Sequence, residues 1–592
     1  MADQMAKDGT ATGDPSDALG QFQHWSYVVG RAQQMLLTFW ADMAIDARRA
    51  GDESGELLAA WLGAAGGGHS QMANAQTESL YFWQNWLKDA PADEARQLME
   101  AATDAMSGSH ATRWVRPLFD VMRNAHALLS DHLLAGIDDM ANLPDRQREQ
   151  LRFLARAMID ASAPDNFPAT NPDVIDRMVE SRGQSLLTGL ARMLNDFRRG
   201  QIIHADQTAF ELGRNLASTP GKVIHETPLY QLIHYEPTTA EIGAIPLLIV
   251  PAWINRYYIL DLNPRNSFVR WALDQGLSVF ILSWKSADET MADVGMDDYA
   301  LGGIVDALDV VRATLGVPSA HVMGYCVGGT TLAMALAWLA AKGRQAEVAT
   351  ATLLTTQIDF SEAGDLSLLV DGQALRLIES LGADTGYLDG RYMAATFNML
   401  RGRDLIWNHV VRSYLLADDY PAFDLLYWNG HTSNLPLRWH LDYLRSCYRD
   451  NLLAVPGGIS LGGVGLDVSR IETPLYVQAA RDDHIAPAPS VWKITTLLGG
   501  PVRFVLAGSG HVAGVINPPS ARKYQHWINP DNSESFEAFV EGATEHQGSW
   551  WPDWRAWIAA HDGETVPAEG TRRPGAGATP PIEDAPGRYA RS

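Results

Sequence analysis

Three residue types that together can move an acyl group stand far apart in this chain: a cysteine framed by glycines, an aspartate pair behind an apolar run, and a histidine in a glycine-rich loop. The cysteine is Cys326, in GYCVGGT (residues 324–330). Its frame, G-x-C-x-G, has the form of the sharp strand-to-helix elbow that hydrolases write as G-x-S-x-G, in which glycines let neighbouring backbone approach the nucleophile closely. An isolated match has a plain structural explanation, since buried cysteines are common and mostly inert. The context favours chemistry: the strand-like run AHVMGY leads in and the helical stretch TTLAMALAWLAAKG leads out.

An elbow nucleophile needs a base, and the base needs an orienting acid; in this architecture both follow the nucleophile in the chain, acid first. TPLYVQAA runs into Arg481, Asp482, Asp483 and His484, and VRFVLAG runs into Ser509, Gly510 and His511. Both loops lie at the carboxyl ends of strand-like runs, the edge at which open α/β sheets bind ligands. On position alone either aspartate can be the acid. His511 is the favoured base, because His484 adjoins the acid and is poorly placed to hold that carboxylate while reaching the elbow. An oxyanion would be met by the backbone amide of Val327 and by a second amide from the loop PAWINRYY, at Trp253 or Ile254, with Ile254 as the working choice. His225, His321 and His409 lack metal-ligand spacing, and no zinc signature, Walker loop or G-x-G-x-x-G occurs, so neither a metal nor a cofactor is expected.

The elements that must position these residues are legible after Pro220-Gly221. Strand-like runs at 245–254, 277–284, 320–325, 348–356, 473–480 and 502–508 alternate with helical patterns such as SFVRWALDQG and GGIVDALDVVRATLG, each closing on a glycine. Apolar strands alternating with helices predict a mostly parallel, α/β-hydrolase-like sheet covered on both faces. Residues 357–466 interrupt the rhythm with aromatic-rich sequence and are expected to form a cap insertion over the active-site edge. Ahead of this α/β region, assigned to 216–592, residues 21–215 show three- and four-residue apolar spacing and are expected to form a helical domain, preceded by a disordered tail at 1–20. Residues 561–592, rich in Pro and Gly, are expected to be a flexible extension.

Bulk properties set limits. At roughly 150 residues per domain, 592 residues make two or three domains. The formal charge of −24 argues against nucleic acid or anionic lipid as a partner of the whole surface. Only Cys326 and Cys447 are present, which excludes a disulfide framework and fits a reducing compartment; Cys447 lies outside any elbow-like frame. With no apolar leader and no run of about 18 apolar residues, the sequence reads as a soluble cytoplasmic protein without a membrane span.

GYCVGGT, PAWINRYYILDLNP, LSWKSAD, FDLLYWNG, RDDHIAP, GSGHVAGVINPP and HQGSWWPDW resemble the motifs of the class I polyhydroxyalkanoate (poly-3-hydroxybutyrate) synthases. The resemblance covers nearly the whole chain after about residue 150 and, more loosely, the region before it. It implies an acyltransferase that polymerises (R)-3-hydroxyacyl-CoA, with 3-hydroxybutyryl-CoA the expected monomer, onto a growing polyester chain with release of CoA. The CoA thioester is then the substrate, and no cofactor is needed. Carried over residue by residue, the nucleophile matches Cys326, the acid Asp483 and the base His511, while His484 matches a neighbour that does not serve as base. The resemblance also implies a homodimer at the surface of cytoplasmic storage granules, with phasin-like granule proteins as candidate partners. Two departures are visible: LSWKSAD stands where the family form is closer to SWRNPD, and Ala252 where members often carry a second proline. The competing readings are a cysteine-dependent α/β hydrolase (a thioesterase or lactone hydrolase) and a degenerate fold kept as an interaction scaffold.

Overall fold

The computed structural model describes residues 115–140, 143–530, 533–576 and 579–592. The expected tail at 1–20 and the helical assignment of 21–114 fall outside them. Strands β1 (Gly221–Glu226), β2 (Tyr230–Tyr235), β3 (Leu247–Val250), β4 (Val279–Trp284), β5 (Ala320–Tyr325), β6 (Val348–Leu354), β7 (Leu475–Ala480), β8 (Val502–Ala507), β9 (Gln525–Ile528), β10 (Thr544–Gln547) and β11 (Glu583–Asp584) build one sheet. Its order is β10-β9-β8-β7-β6-β5-β3-β4-β2-β1-β11. The six central strands, β4 to β8 in that order, pair in parallel, and the strands on both flanks pair antiparallel. Every residue of β3, β4, β5 and β7 is buried, so runs such as LLIV and VFILSW are apolar throughout because both faces of the sheet are covered.

Among the described residues, four α-helices precede the sheet: α1 (Val115–Asp138), α2 (Asp145–Ser162), α3 (Pro172–Glu180) and α4 (Gln184–Arg199). Asn171 caps α3 by accepting hydrogen bonds from the amides of Asp173 and Val174, with Pro172 in the first turn. Within the sheet region, α5 (Phe268–Asp274) is capped by Ser267, and α6 (Asp306–Leu315) ends on Gly316 at φ +65°. No helix among the described residues is long and apolar enough to cross a membrane.

The chain divides differently from the sequence boundary at 215/216. One compact unit holds, among the described residues, 115–140, 154–202 and 401–419; the other holds 143–153, 203–400 and 420–592. The expected insertion is therefore split. Its stretch 401–419 belongs with the helices: a Cβ at Gly189 of α4 would fall 1.7 Å from the Tyr414 carbonyl oxygen, so only glycine permits this approach, and the Tyr414 hydroxyl donates to the buried Asp196 at 2.7 Å.

The expected flexible extension at 561–592 is corrected by the structure. Thr565–Pro567 pairs antiparallel with Glu241–Gly243, and β11 adds to the sheet edge by pairing with Lys222 and Val223. The Tyr589 hydroxyl donates to the Thr227 carbonyl at 2.8 Å, and the buried guanidinium of Arg256 donates to the carbonyls of Tyr589 (2.8 Å) and Ser592. Pro and Gly oppose helix formation, but they leave extended edge pairing open.

Candidate active site

Cys326 sits between β5 and α7 (Val327–Ala341), with φ +54° and ψ −128°, a conformation that costs a non-glycine residue about 1–3 kcal/mol. The surroundings hold it there. Its amide donates to the Leu354 carbonyl at 2.9 Å, and its carbonyl accepts from the amides of Gly329 (2.9 Å) and Thr330 (3.2 Å). The glycines of the motif answer to close approach: a Cβ on Gly324 would lie 2.4 Å from the Gly329 Cα, and one on Gly328 2.4 Å from the Pro251 carbonyl oxygen. Strand, helix and the loop after β3 thus meet closely around the thiol. The helix is almost entirely buried, which is why its sequence is apolar on all sides.

The loops after β7 and β8 bring Asp483 and His511 together. His511 Nδ1 lies 2.7 Å from Asp483 Oδ2, and the amides of Ile485 and Ala486 donate to Asp483 Oδ1 at 2.8 and 2.9 Å. The Asp483 side chain is 0% exposed, whereas that of Asp482 is 59% exposed and sits 3.4 Å from Arg481. His484 is half-buried beside them. Burial opposes the His511 imidazolium, but the Asp483 carboxylate, Cys326 and hydrogen bonds to both raise its pKa well above the usual histidine value. The Tyr325 ring packs 5.6 Å from that of His511. This arrangement can take a proton from the thiol, hold the resulting imidazolium against a fixed carboxylate, and return the proton to a leaving group.

Val327 opens α7, so its amide has no acceptor within the helix. Trp253 and Ile254, on the loop after β3, line the same chamber as Cys326 and Val327. The indole of Trp253 donates to Thr331 Oγ1 at 3.2 Å and that of Trp284 to the Pro251 carbonyl at 2.9 Å, which anchors the loop to α7 and β4.

Comparison with known proteins places this geometry. Residues 109–272 match the family described as poly-beta-hydroxybutyrate polymerase (PhaC) N-terminus, and residues 245–518 match the alpha/beta hydrolase fold. The chain is 40% identical over 559 residues to the poly(3-hydroxyalkanoate) polymerase subunit PhaC of Cupriavidus necator, covering 90% of this chain and 93% of that protein. It is 41% identical to the poly(3-hydroxyalkanoate) polymerase of Methylorubrum extorquens, covering 82% and 80%, and 42% identical to the PhaC subunit of Rhizobium meliloti, covering 81% and 78%. The chain belongs to the poly(3-hydroxyalkanoate) polymerases.

In this polymerase the thiol opens into a small, largely apolar chamber of about 40 Å³ whose wall is shared between the insertion and the loops around Cys326. Met393, Phe397, His440, Tyr443, Leu444 and Tyr448 line it together with Ile485 and Ala486 beside the acid. None of these insertion residues stands out in the sequence by type. Their signal is spacing: His440, Tyr443 and Leu444 recur at helical intervals across α8 (Leu437–Tyr443) and the turn after it. Cys447 is buried in that turn, away from any elbow, and burial pushes its thiol pKa up. His321 bonds Thr350 (2.8 Å) and Asp562 (3.1 Å), and no His/Cys/Asp/Glu cluster among the described residues could hold a metal. A further buried carboxylate, Asp261, accepts from Thr219 (2.5 Å) and Ser267 (2.7 Å), and burial raises its pKa to about 6.

Proposed function

We propose that this polymerase takes (R)-3-hydroxyacyl-CoA, with 3-hydroxybutyryl-CoA as the monomer, and builds polyhydroxyalkanoate through an acyl thioester on Cys326. The observation that carries the reading is a cysteine at the elbow of a polymerase-family chain, with His511 and Asp483 joined at 2.7 Å behind it. His511 Nε2 takes the thiol proton, and the thiolate attacks the thioester carbonyl. The amides of Val327 and Ile254 hold the oxyanion, and CoA leaves with the proton returned by His511. One thioester replaces another of nearly equal energy, so the acyl unit stays activated for attack by the hydroxyl of another monomer or of the growing chain. Both oxygens of Asp483 are engaged, one by His511 and one by two amides. That leaves His511 as the base for the attacking hydroxyl as well. No step requires a cofactor.

The apolar chamber supports transfer over hydrolysis, because water is the competing acceptor and an apolar wall disfavours it. The reading includes the single-polypeptide class I organisation, a homodimer, and a place at the surface of cytoplasmic polyester granules alongside phasin-like proteins. Purified protein supplied with (R)-3-hydroxybutyryl-CoA should release CoA and yield polymer. Free 3-hydroxybutyrate as the main product would point to a hydrolase, and no CoA release would leave a scaffold. A monomer by sedimentation during turnover would refute the dimer.

A further inference from the structure

The polar side chains that line the Cys326 chamber are mostly committed to one another. The Thr330 hydroxyl donates to the Gln357 carbonyl at 2.8 Å, the Gln357 amide donates to Ser490 Oγ at 3.0 Å, and Tyr443 and Tyr448 are hydrogen-bonded together. Thr355 and His440 are the exceptions: Thr355 Oγ1 and His440 Nδ1 are buried without a partner. Thr355 directly follows β6, at the sheet edge that carries Cys326, Asp483 and His511, whereas His440 belongs to the insertion. It is 3% exposed and lines the chamber. Its place is fixed by packing, since the Trp253 ring lies 6.5 Å from His440, 5.0 Å from Trp439 and 5.4 Å from Tyr443. Burial lowers its pKa to about 4, so at neutral pH the ring is uncharged, with one donor and one acceptor nitrogen.

A buried ring nitrogen with no partner is costly, and a binding site retains such an atom when the ligand supplies the partner. Cys326 and the proposed amide donors already account for the reacting carbonyl. The polar atom left on the acyl unit is the oxygen at its third carbon, a hydroxyl on the incoming monomer and an ester oxygen within the chain. We propose that His440 binds this 3-oxygen through its unpartnered ring nitrogen, and so makes the chamber select 3-hydroxyacyl over plain acyl thioesters. The inference rests on the polymerase reading above. A site built to hydrogen-bond a hydroxyl discriminates strongly against the analogue that lacks it, because the buried group is then left unpaired.

The test compares CoA release, in single turnover, from (R)-3-hydroxybutyryl-CoA and from butyryl-CoA, which has the same chain length without the hydroxyl. Wild-type protein should favour the hydroxylated thioester in kcat/KM. His440→Phe should lower that preference about 10- to 100-fold, and His440→Gln, which keeps a donor and an acceptor, should restore part of it. If His440→Phe does not fold, His440→Leu is read the same way. An unchanged preference in the apolar variant overturns the inference, also when both rates fall together, because a purely structural role lowers both alike. A wild-type preference near unity overturns it equally. Failure of the wild-type protein to release CoA from the hydroxyacyl thioester would overturn the polymerase reading itself, and this inference with it.

Discussion

Asp483→Asn exchanges one oxygen for an NH₂ group and should change little in shape. The variant can still accept the amides of Ile485 and Ala486 on its remaining oxygen, as Oδ1 does now at 2.8 and 2.9 Å, so the loop should keep its fold. The group facing His511 Nδ1 at 2.7 Å then becomes a donor. Nδ1 must give up its proton to avoid two donors meeting, and the proton moves to Nε2, the nitrogen needed to accept from Cys326. Two losses combine: the charge-assisted bond to the imidazolium, worth about 1.5–3 kcal/mol, and the productive tautomer. Together they should lower the rate of CoA release about 10²–10⁴-fold, which is about 3–5.5 kcal/mol of barrier. Single-turnover kinetics at saturating (R)-3-hydroxybutyryl-CoA separates this from binding, which should shift by no more than a few-fold. The thiolate fraction can be followed independently by alkylation of Cys326 at pH 7, where the buried Cys447, with its raised thiol pKa, should stay silent. Asp482→Asn serves as the control, since that side chain is largely exposed. A near-normal rate for Asp483→Asn, or a severe loss in Asp482→Asn, would refute the reasoning.

His511→Gln should slow acylation of Cys326 by about 10²–10⁴-fold, while His484→Gln keeps most activity; the reverse ranking in steady-state CoA release would exchange their roles. Cys326→Ser should lose polymer synthesis by orders of magnitude, with residual CoA release ending as stalled or hydrolysed ester; polymer at close to the wild-type rate, measured apart from free acid, would sink the thioester argument. Asp261 gives a pH-dependent stability test. Its folded pKa of about 6 lies above the usual carboxyl value, so its contribution is fully present below about pH 4 and is lost as pH rises through 6. Two pKa units correspond to about 3 kcal/mol. Asp261→Asn should therefore gain up to about 3 kcal/mol on the wild type between pH 4 and pH 8 in denaturant unfolding, and a constant difference across that range would contradict the buried carboxylate.

What the sequence shows and hides follows from burial. The central parallel strands are legible because both faces are covered and almost every residue is apolar. The flanking strands β1, β2, β9 and β10 escape such a reading. In β2 all residues are buried although Gln231 and His234 are among them: Gln231 donates to Glu226 and Glu583 at 2.6 Å each, and His234 stacks 4.0 Å from Phe280. Polar residues buried inside the sheet thus disguise the strand, and β10, TEHQ, is exposed throughout. At the site, residue type and chain order point to Cys326 and His511. The choice between Asp482 and Asp483 depends on which way one short loop turns, a geometric fact that two adjacent aspartates do not encode. The chamber wall is harder still, because His440 and Tyr448 share a cavity only once the helical turns at 437–449 have formed.

The strained elbow and the choice of cysteine answer the same demand. A positive φ at Cys326 is maintained because three backbone hydrogen bonds and two glycine contacts over-determine it. Those contacts put the sulfur at the start of α7, so that on the proposed mechanism the acyl oxygen meets the amide of Val327 while the chain extends into the chamber. A serine at the same elbow would form an oxygen ester, and its alkoxide leaving group would be poor when a second alcohol attacked. The cysteine thiolate is the better leaving group, which makes the second transfer as feasible as the first. An enzyme serving water needs no such balance, since water is present in vast excess and the product never has to be passed on. A chain that must hand its acyl unit to another hydroxyl needs a weak acyl bond and a dry wall together. On the proposed mechanism, Cys326 supplies the first, and the insertion side chains around His440, Tyr443 and Tyr448 supply the second.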